Sequence, residues 1–452
     1  MSDPNKYTVG WICAIPTEAV AARAFLDEEH ALLPQAIQDD NSYILGKMGE
    51  HNVVIAVLPD GEYGLVSAAV VARDMVRSFP NVRIGLMVGI GGGAPGPKHD
   101  IRLGDVVVSS RSGGMGGVFQ YDYGKTIQNQ SFQETGYLDQ PPRLLRAAVN
   151  QLKAEYEMKG HQLMDRVNEA LKKIKKRKKY TRPPPESDRL YKSSIVHPSG
   201  SDEPCDVTCG NDEANLVIRG ERDEEEDDPA IHYGLIASGN QLMKDALLRD
   251  KLAKEKGIFC FEMEAAGLMN HFPCLVIRGI CDYSDSHKNK EWQGFAAIMA
   301  AAYARDLLGQ IPVNKVEEEK RISEQLGSIQ DNLKYLCQTA EETKAMNTAT
   351  YIEKWLKPPD SSTNFNKAKK EWHEGTGQWL LNSTAFNDWK DGSRHHLWLQ
   401  GLAGCGKTIL SAIVVEHLRK DDYLVLDFYF DFNDIAKQKV DNMEEDNQTY
   451  QL

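Results

Sequence analysis

Four carboxylates stand close together in one stretch, Ile258 to Asp285, which reads IFCFEMEAAGLMNHFPCLVIRGICDYSD. Glu262 and Glu264 follow the apolar run Ile258-Phe259-Cys260-Phe261, and Asp282 and Asp285 follow the run from Cys274 to Cys281. Neither run alternates with polar residues, the pattern of strands buried on both faces. In α/β sheets ligands bind at the carboxyl ends of strands. A carboxylate there can hold sugar hydroxyls or exchange a proton with a leaving group. The competing use of each is to cap the next helix. Between the two runs, an Ala/Leu/Met segment of helical character extends through Asn270, and Pro273 ends it.

The elements that must position these groups can be read in chain order. Tyr7 to Ile15 is an apolar strand ending at Pro16, and Thr17, as N-cap, opens a helix through about Leu26. Glu18 lies in its first turn, where it complements the helix dipole or serves as a base. Ser42–Met48 and Asn52–Leu58 read as paired strands, and Gly64–Phe79 as a helix. Val82 to Ile90 is a buried strand running into Gly91-Gly92-Gly93. Such a glycine cluster lets backbone N–H groups approach an anion or sugar, or simply makes a tight turn. Gly104-Asp105 leads into the strand Val106-Val107-Val108, and Leu144–Glu157 is helical. His232–Ser238 is a strand, followed by Gly239-Asn240-Gln241 and a helix to Arg249; Glu291–Leu308 is an Ala-rich amphipathic helix that closes the domain.

FEMEAAG followed by a strand ending Arg-Gly-Ile-Cys-Asp resembles the nucleoside phosphorylase and nucleosidase family, over about Lys6 to Leu308. The resemblance implies a three-layer α/β/α domain with a central mixed sheet. It implies that Met263 and Glu264, with Glu262 beside them, hold the ribose and that Asp282 protonates the purine. IPTEA resembles the nucleosidase turn, which makes Glu18 the activator of water. Gly91 and Gly92 match the family's anion loop, and Ser238, Asn240 and Gln241 its base-contacting loop. Two departures favour water over phosphate as nucleophile: Ile90 stands where many phosphorylases carry a hydroxyl, and no Gly-Asp-Pro-x-Arg motif occurs near the N-terminus. Relatives of this architecture act on ATP, so ATP is the first substrate to consider and an unphosphorylated purine nucleoside the second. Lys98, His99 and Arg102 are then the triphosphate contacts to test. A homo-oligomer is expected.

With 41% hydrophobic and 26% charged residues over 452 positions, the chain reads as an ordinary globular protein of two or three domains. A net charge of -13 argues against nucleic-acid or anionic-membrane partners. No apolar run suggests a membrane span or a secretory signal, and eight scattered cysteines suggest reduced thiols in the cytoplasm. Lys159 to Pro229 reads as a charged, partly solvated insertion holding KKIKKRKK at 172–179 and ERDEEEDD at 221–228. The basic run also resembles a nuclear-import signal. Within the insertion, His197, Cys205 and Cys209 are an incomplete zinc set, so no metal is assigned.

Beyond residue 310 a polar, helical-patterned linker (311–394) carries Ile322, Leu326, Ile329, Leu333 and Leu336 and a series of tryptophans read as packing anchors. The segment 395–452 follows. His396–Leu399 reads as a strand leading into Gly401-Leu402-Ala403-Gly404-Cys405-Gly406-Lys407-Thr408, a full phosphate-binding loop, and Tyr423–Phe430 as the next strand. Glycine-freed N–H groups there would cradle phosphates, Lys407 would reach the terminal phosphates and Thr408 a Mg²⁺ ion of bound ATP. WLQGLAGCGKT resembles the start of the NACHT-type ATPases of fungal receptors. The expectation is therefore a purine N-glycosidase, an immune or cell-death effector, needing no cofactor and fused to a truncated P-loop α/β module. A phosphorylase, or a non-catalytic nucleotide sensor, remains open.

Overall fold

A computed structural model describes residues 3–129, 132–200, 203, 205–210, 212–223, 225–287, 290–324, 362–421, 423–431 and 438. The chain divides into two compact units, residues 1–330 and 331–452.

The first unit is built on a ten-stranded mixed sheet. Its strands are β1 (Val9–Cys13), β2 (Glu28–His30), β3 (Tyr43–Met48), β4 (His51–Val57), β5 (Ile84–Gly93), β6 (Val106–Ser109), β7 (Val118–Gln120), β10 (Ile231–Ser238), β11 (Ile258–Glu262) and β12 (Cys274–Asp282). Strands β8 (Gly124–Lys125) and β9 (Gln133–Glu134) form a separate small hairpin. The order is β11-β10-β6-β12-β5-β1-β4-β3-β2, with β7 on β10. Strand β11 also pairs antiparallel with β5, Phe261 opposite Gly92 and Cys260 opposite Gly93, so five strands close into a ring. The ring brings the carboxyl ends of β5, β11 and β12 together.

Helices cover the sheet on both faces, the three-layer arrangement expected. Helix α1 (Pro16–Ala24), α3 (Arg143–Lys159) and α4 (Leu163–Leu171) pack around α7 (Gln293–Gly309), which lies on β5 and β12. Helix α2 (Leu65–Ser78) packs on β1 and β4, and α6 (Ala246–Lys256) on β11. The expected amphipathic character of the closing helix is not found: 14 of the 17 residues of α7 are buried. Its run of alanines allows this, because Ala296 approaches the strand so closely that a Cβ on Gly279 would overlap its carbonyl oxygen.

Three further expectations are corrected. The helix after Glu264 is a single 3-10 turn, Ala265–Gly267, because Leu268, Met269 and Phe272 must all be buried and a Cβ at Gly267 would strike the Leu65 backbone. Gly91–Gly93 is not a loop; it is the end of β5, held by ladders to β11 and β12. Thr17 is not the N-cap of α1. Glu18 closes that turn, accepting the Ala14 and Ile15 N–H groups at 2.6 and 3.2 Å, while the Thr17 hydroxyl accepts Lys179 Nζ at 2.7 Å.

The charged insertion is anchored more firmly than its composition suggests. Leu163, Val167, Ala170 and Tyr180 are buried, Lys173 donates to the Leu26 carbonyl, and Arg222 is bound to the fully buried Asp105. Asp228 of the acidic run pairs with Arg182 at 2.8 Å.

In the second unit, Lys407–Lys420 is helical as expected, and Gly404 and Gly406 take φ of +77° and +88° in the loop before it. His396–Leu399 and Tyr423–Phe430, expected as strands, take no regular secondary structure and form no ladder among the described residues. They pack instead through side chains, with Leu397, Leu399 and Val425 against Leu410, Val414 and Leu418 of the helix. Trp389 packs there, whereas Trp379 and Trp398 are exposed rather than anchoring anything. The pattern from Leu326 to Leu336, Trp355 and the tail beyond 438 lie outside the described residues. Among the described residues no helix is long and apolar enough to cross a membrane.

Candidate active site

Glu18, Glu262 and Glu264 converge on one cation, Arg278, which is 0% exposed in the middle of β12. The Arg278 guanidinium bonds the Glu262 carboxylate and lies 3.2 Å from Glu264. Its Nη1 faces the Ile90 carbonyl at 3.4 Å. Glu18 completes the group from the α1 side, its Oε1 accepting the Ile90 N–H at 2.8 Å. All three carboxylates are at most 6% exposed, and a buried charge of that kind persists only when paired.

The electrostatics separate the three. Burial raises the Glu18 carboxyl above its usual range, against the attraction of Arg278 and the N–H donors. Burial pushes Glu264 up to about 7, with Arg278 opposing and the charges of Glu262 and Glu18 adding. Glu262 is spent on structure: besides Arg278, it accepts the Glu264 and Ala265 N–H groups at 3.1 and 3.0 Å.

Asp282 closes β12 beside Gly92. Its Oδ1 accepts the Ser284 N–H at 2.8 Å, and the Cys281 thiol lies 3.4 Å from Oδ2. Ser284 takes a φ of +53°, uncommon for a residue with a side chain, and its buried hydroxyl points at Gly92. Two glycines make the room: a Cβ on Gly92 would stand 2.6 Å from Asp282 Oδ1, and one on Gly89 2.6 Å from Arg278 Nη1 and closer still to Glu18. Gly91 needs the same closeness for the Phe261 carbonyl, 3.1 Å from an ideal Cβ.

The remaining sequence-predicted residues divide. Met263 lies half-buried between the two glutamates. Ser238 is fully buried and its hydroxyl accepts the Ala266 N–H at 2.9 Å, so it shapes the turn after Glu264. Asn240 accepts the Leu65 N–H at 3.1 Å, capping α2, and the Gln241 carbonyl accepts the Tyr121 hydroxyl. Lys98 is exposed, the His99 ring packs at a tilt against Phe259 with centroids 4.1 Å apart, and Arg102 is held by Asp100 and the Gly220 carbonyl at 2.7 Å. In the other unit, Lys407 Nζ donates to the Gly401 and Leu402 carbonyls at 2.8 and 2.9 Å. Thr408 occupies the next position of its helix.

Sequence reasoning overlooked Arg278, although a lone charge inside the apolar run CLVIRGIC is itself a signal of a buried ion pair. It also overlooked His287, which joins His197, Cys205 and Cys209 in one cluster where no metal was assigned.

Known proteins resemble the chain over part of its length. An NLR-like protein of Hyaloscypha variabilis is 47% identical over 306 residues, which are 68% of this chain and 29% of that protein. The chain thus spans less than a third of that relative's length. A 5′-methylthioadenosine/S-adenosylhomocysteine nucleosidase of Mycobacterium bovis is 24% identical over 68% of this chain and 97% of its own length. Among solved structures, the futalosine hydrolase of Helicobacter pylori aligns with a TM-score of 0.43 at 15% identity, covering 68% of this chain and 99% of that one. The family described as "Nephrocystin 3, N-terminal" matches residues 375–446.

Proposed function

We propose that the first unit is a purine N-glycosidase that uses water as its nucleophile and ATP as its substrate. The observation that carries the reading is the buried Glu18–Arg278–Glu264 group, with Glu264 just after β11 and Asp282 closing β12, two strands that both pair with β5. The near-full-length sequence similarity to a nucleosidase supports it. In the proposed reaction a water oxygen attacks C1′, the C1′–N9 bond breaks and its electron pair passes to the purine. Asp282 delivers a proton to N7, Glu18 accepts one from water, and ionised Glu264 accepts hydrogen bonds from the ribose hydroxyls as the oxocarbenium character develops. Arg278 opposes the rise that burial and two other carboxylates impose on the Glu264 carboxyl. A Glu18 carboxylate also disfavours an incoming phosphate dianion, by about 1 kcal/mol at about 4 Å even in a water-like dielectric.

A role as a nucleotide-depleting effector, in which the phosphate-binding loop couples nucleotide binding to assembly, belongs to the same proposal and draws on the likeness to the NLR-like protein. The test is a chromatographic screen of ATP, AMP, adenosine, inosine and methylthioadenosine, each with and without phosphate, with products identified by mass spectrometry. Free adenine and ribose 5-triphosphate, formed equally without phosphate, are expected. A ribose 1-phosphate product would overturn hydrolysis, and intact substrates after long incubation would overturn catalysis.

A further inference from the structure

We propose that His197, Cys205, Cys209 and His287 form a structural zinc site that pins the insertion to the loop carrying Asp282. Three of the side chains belong to residues 197–209 and the fourth, His287, is some 80 residues further on, yet their ligand atoms all lie within 4.8 Å of one another. His197 Nδ1 is 3.3 Å from Cys209 Sγ and 3.4 Å from Cys205 Sγ, and Cys205 Sγ is 3.7 Å from His287 Nδ1. Tetrahedral zinc with its usual Zn–S and Zn–N lengths sets each N···S edge at about 3.6 Å. The side chains are therefore spaced as ligands around one ion.

The surroundings orient the donors as a metal site requires. His287 Nε2 donates to the Ile195 carbonyl at 3.1 Å, which leaves the Nδ1 lone pair aimed at the thiols. The Tyr191 ring stacks on His287 at 4.0 Å, and its hydroxyl donates to the Cys205 and Gly210 carbonyls at 3.2 Å. Cys205 and Cys209 stand one helical turn apart, the Cys209 N–H bonded to the Cys205 carbonyl at 2.8 Å, and neither is in a disulfide. Two thiols and two imidazoles suit zinc, not the oxygen-seeking Mg²⁺ or Ca²⁺.

The site touches the chemistry through a short path. His287 is five positions after Asp282; its N–H donates to Asp285 at 2.9 Å, and Ser286 Oγ accepts the His197 N–H at 2.9 Å. Cys205, Asp282, Asp285 and His287 line one small cleft. The four ligands thus act as positioning residues for the Asp282 loop.

The test uses the full chain. Elemental analysis after purification should find about one zinc per chain, and Cys205→Ser with Cys209→Ser should lower this about tenfold or more. Cobalt exchanged into the wild type should give thiolate charge-transfer bands and intense tetrahedral ligand-field bands, and His287→Ala should weaken them. Zinc removal should speed proteolysis between residues 198 and 215 about fivefold or more. If the variants do not fold, the wild-type cobalt spectrum decides alone. A folded chain without zinc whose cobalt spectrum is weak and octahedral would overturn the site, whatever the substrate proves to be.

Discussion

Each carboxylate of the site is set apart by its neighbours, so single substitutions separate their roles. Asp282→Asn keeps size and hydrogen bonding to the Ser284 N–H but cannot deliver a proton. Turnover should fall roughly 10²–10⁴-fold with the melting temperature almost unchanged. Retention of more than about half the activity would remove Asp282 from the acid role. Glu264 makes a pH prediction in two directions. With its carboxyl pushed up to about 7, the ionised form that accepts ribose hydroxyls fills as pH rises. Affinity for a non-cleavable nucleoside should therefore rise between about pH 6 and 8 and level off above, and Glu264→Gln should abolish that rise. Stability has the opposite sign. A carboxyl raised from 4.5 to about 7 in the native state holds more protons than the unfolded chain. Its contribution is full below about pH 4.5 and is lost as pH climbs through about 7. The difference in urea-unfolding free energy, wild type minus Glu264→Gln, should therefore decrease over that interval.

At the scale of elements, the site depends on how closely β5, β11 and β12 approach at their carboxyl ends. Gly92→Ala places a methyl group against Asp282 and Ser284 without touching the core. Turnover should drop about tenfold or more, since displacements near 1 Å cost that much, while the melting temperature moves by a few degrees at most. An equal loss of fold and activity would contradict this local reading. Much of this scale was legible beforehand. The apolar runs before Glu262 and Asp282 could only be buried strands, and their carboxylates could only meet if the strands were near neighbours. The ring closure was not legible, because no pattern in Gly91-Gly92-Gly93 distinguishes a loop from a strand end that must pass close to a carbonyl and a carboxylate. Nor was the burial of α7: an alanine looks the same facing solvent or facing Gly279. His287 was hidden for a different reason, its cluster being assembled by tertiary folding across some 80 residues from Cys205.

For the whole molecule, the two compact units predict separable functions. Lys407→Ala should abolish nucleotide binding at the loop, measured by titration of a fluorescent ATP analogue. It should leave base release within about twofold of wild type, because the groups proposed for catalysis all belong to residues 1–330. A parallel loss of base release would show that the units are coupled and would contradict independence.

The buried helix α7 has a consequence while the chain is being made. Helix α1 is made well before α7, yet most of the surface it packs against belongs to residues 293–309. At typical rates of about 5–20 residues per second, the intervening chain takes on the order of tens of seconds to appear. Once made, β5 waits for both β12, its ladder partner, and α7, the helix that covers it. Chaperone occupancy on the nascent chain should therefore end only once α7 has emerged, which makes this late helix the keystone of biogenesis.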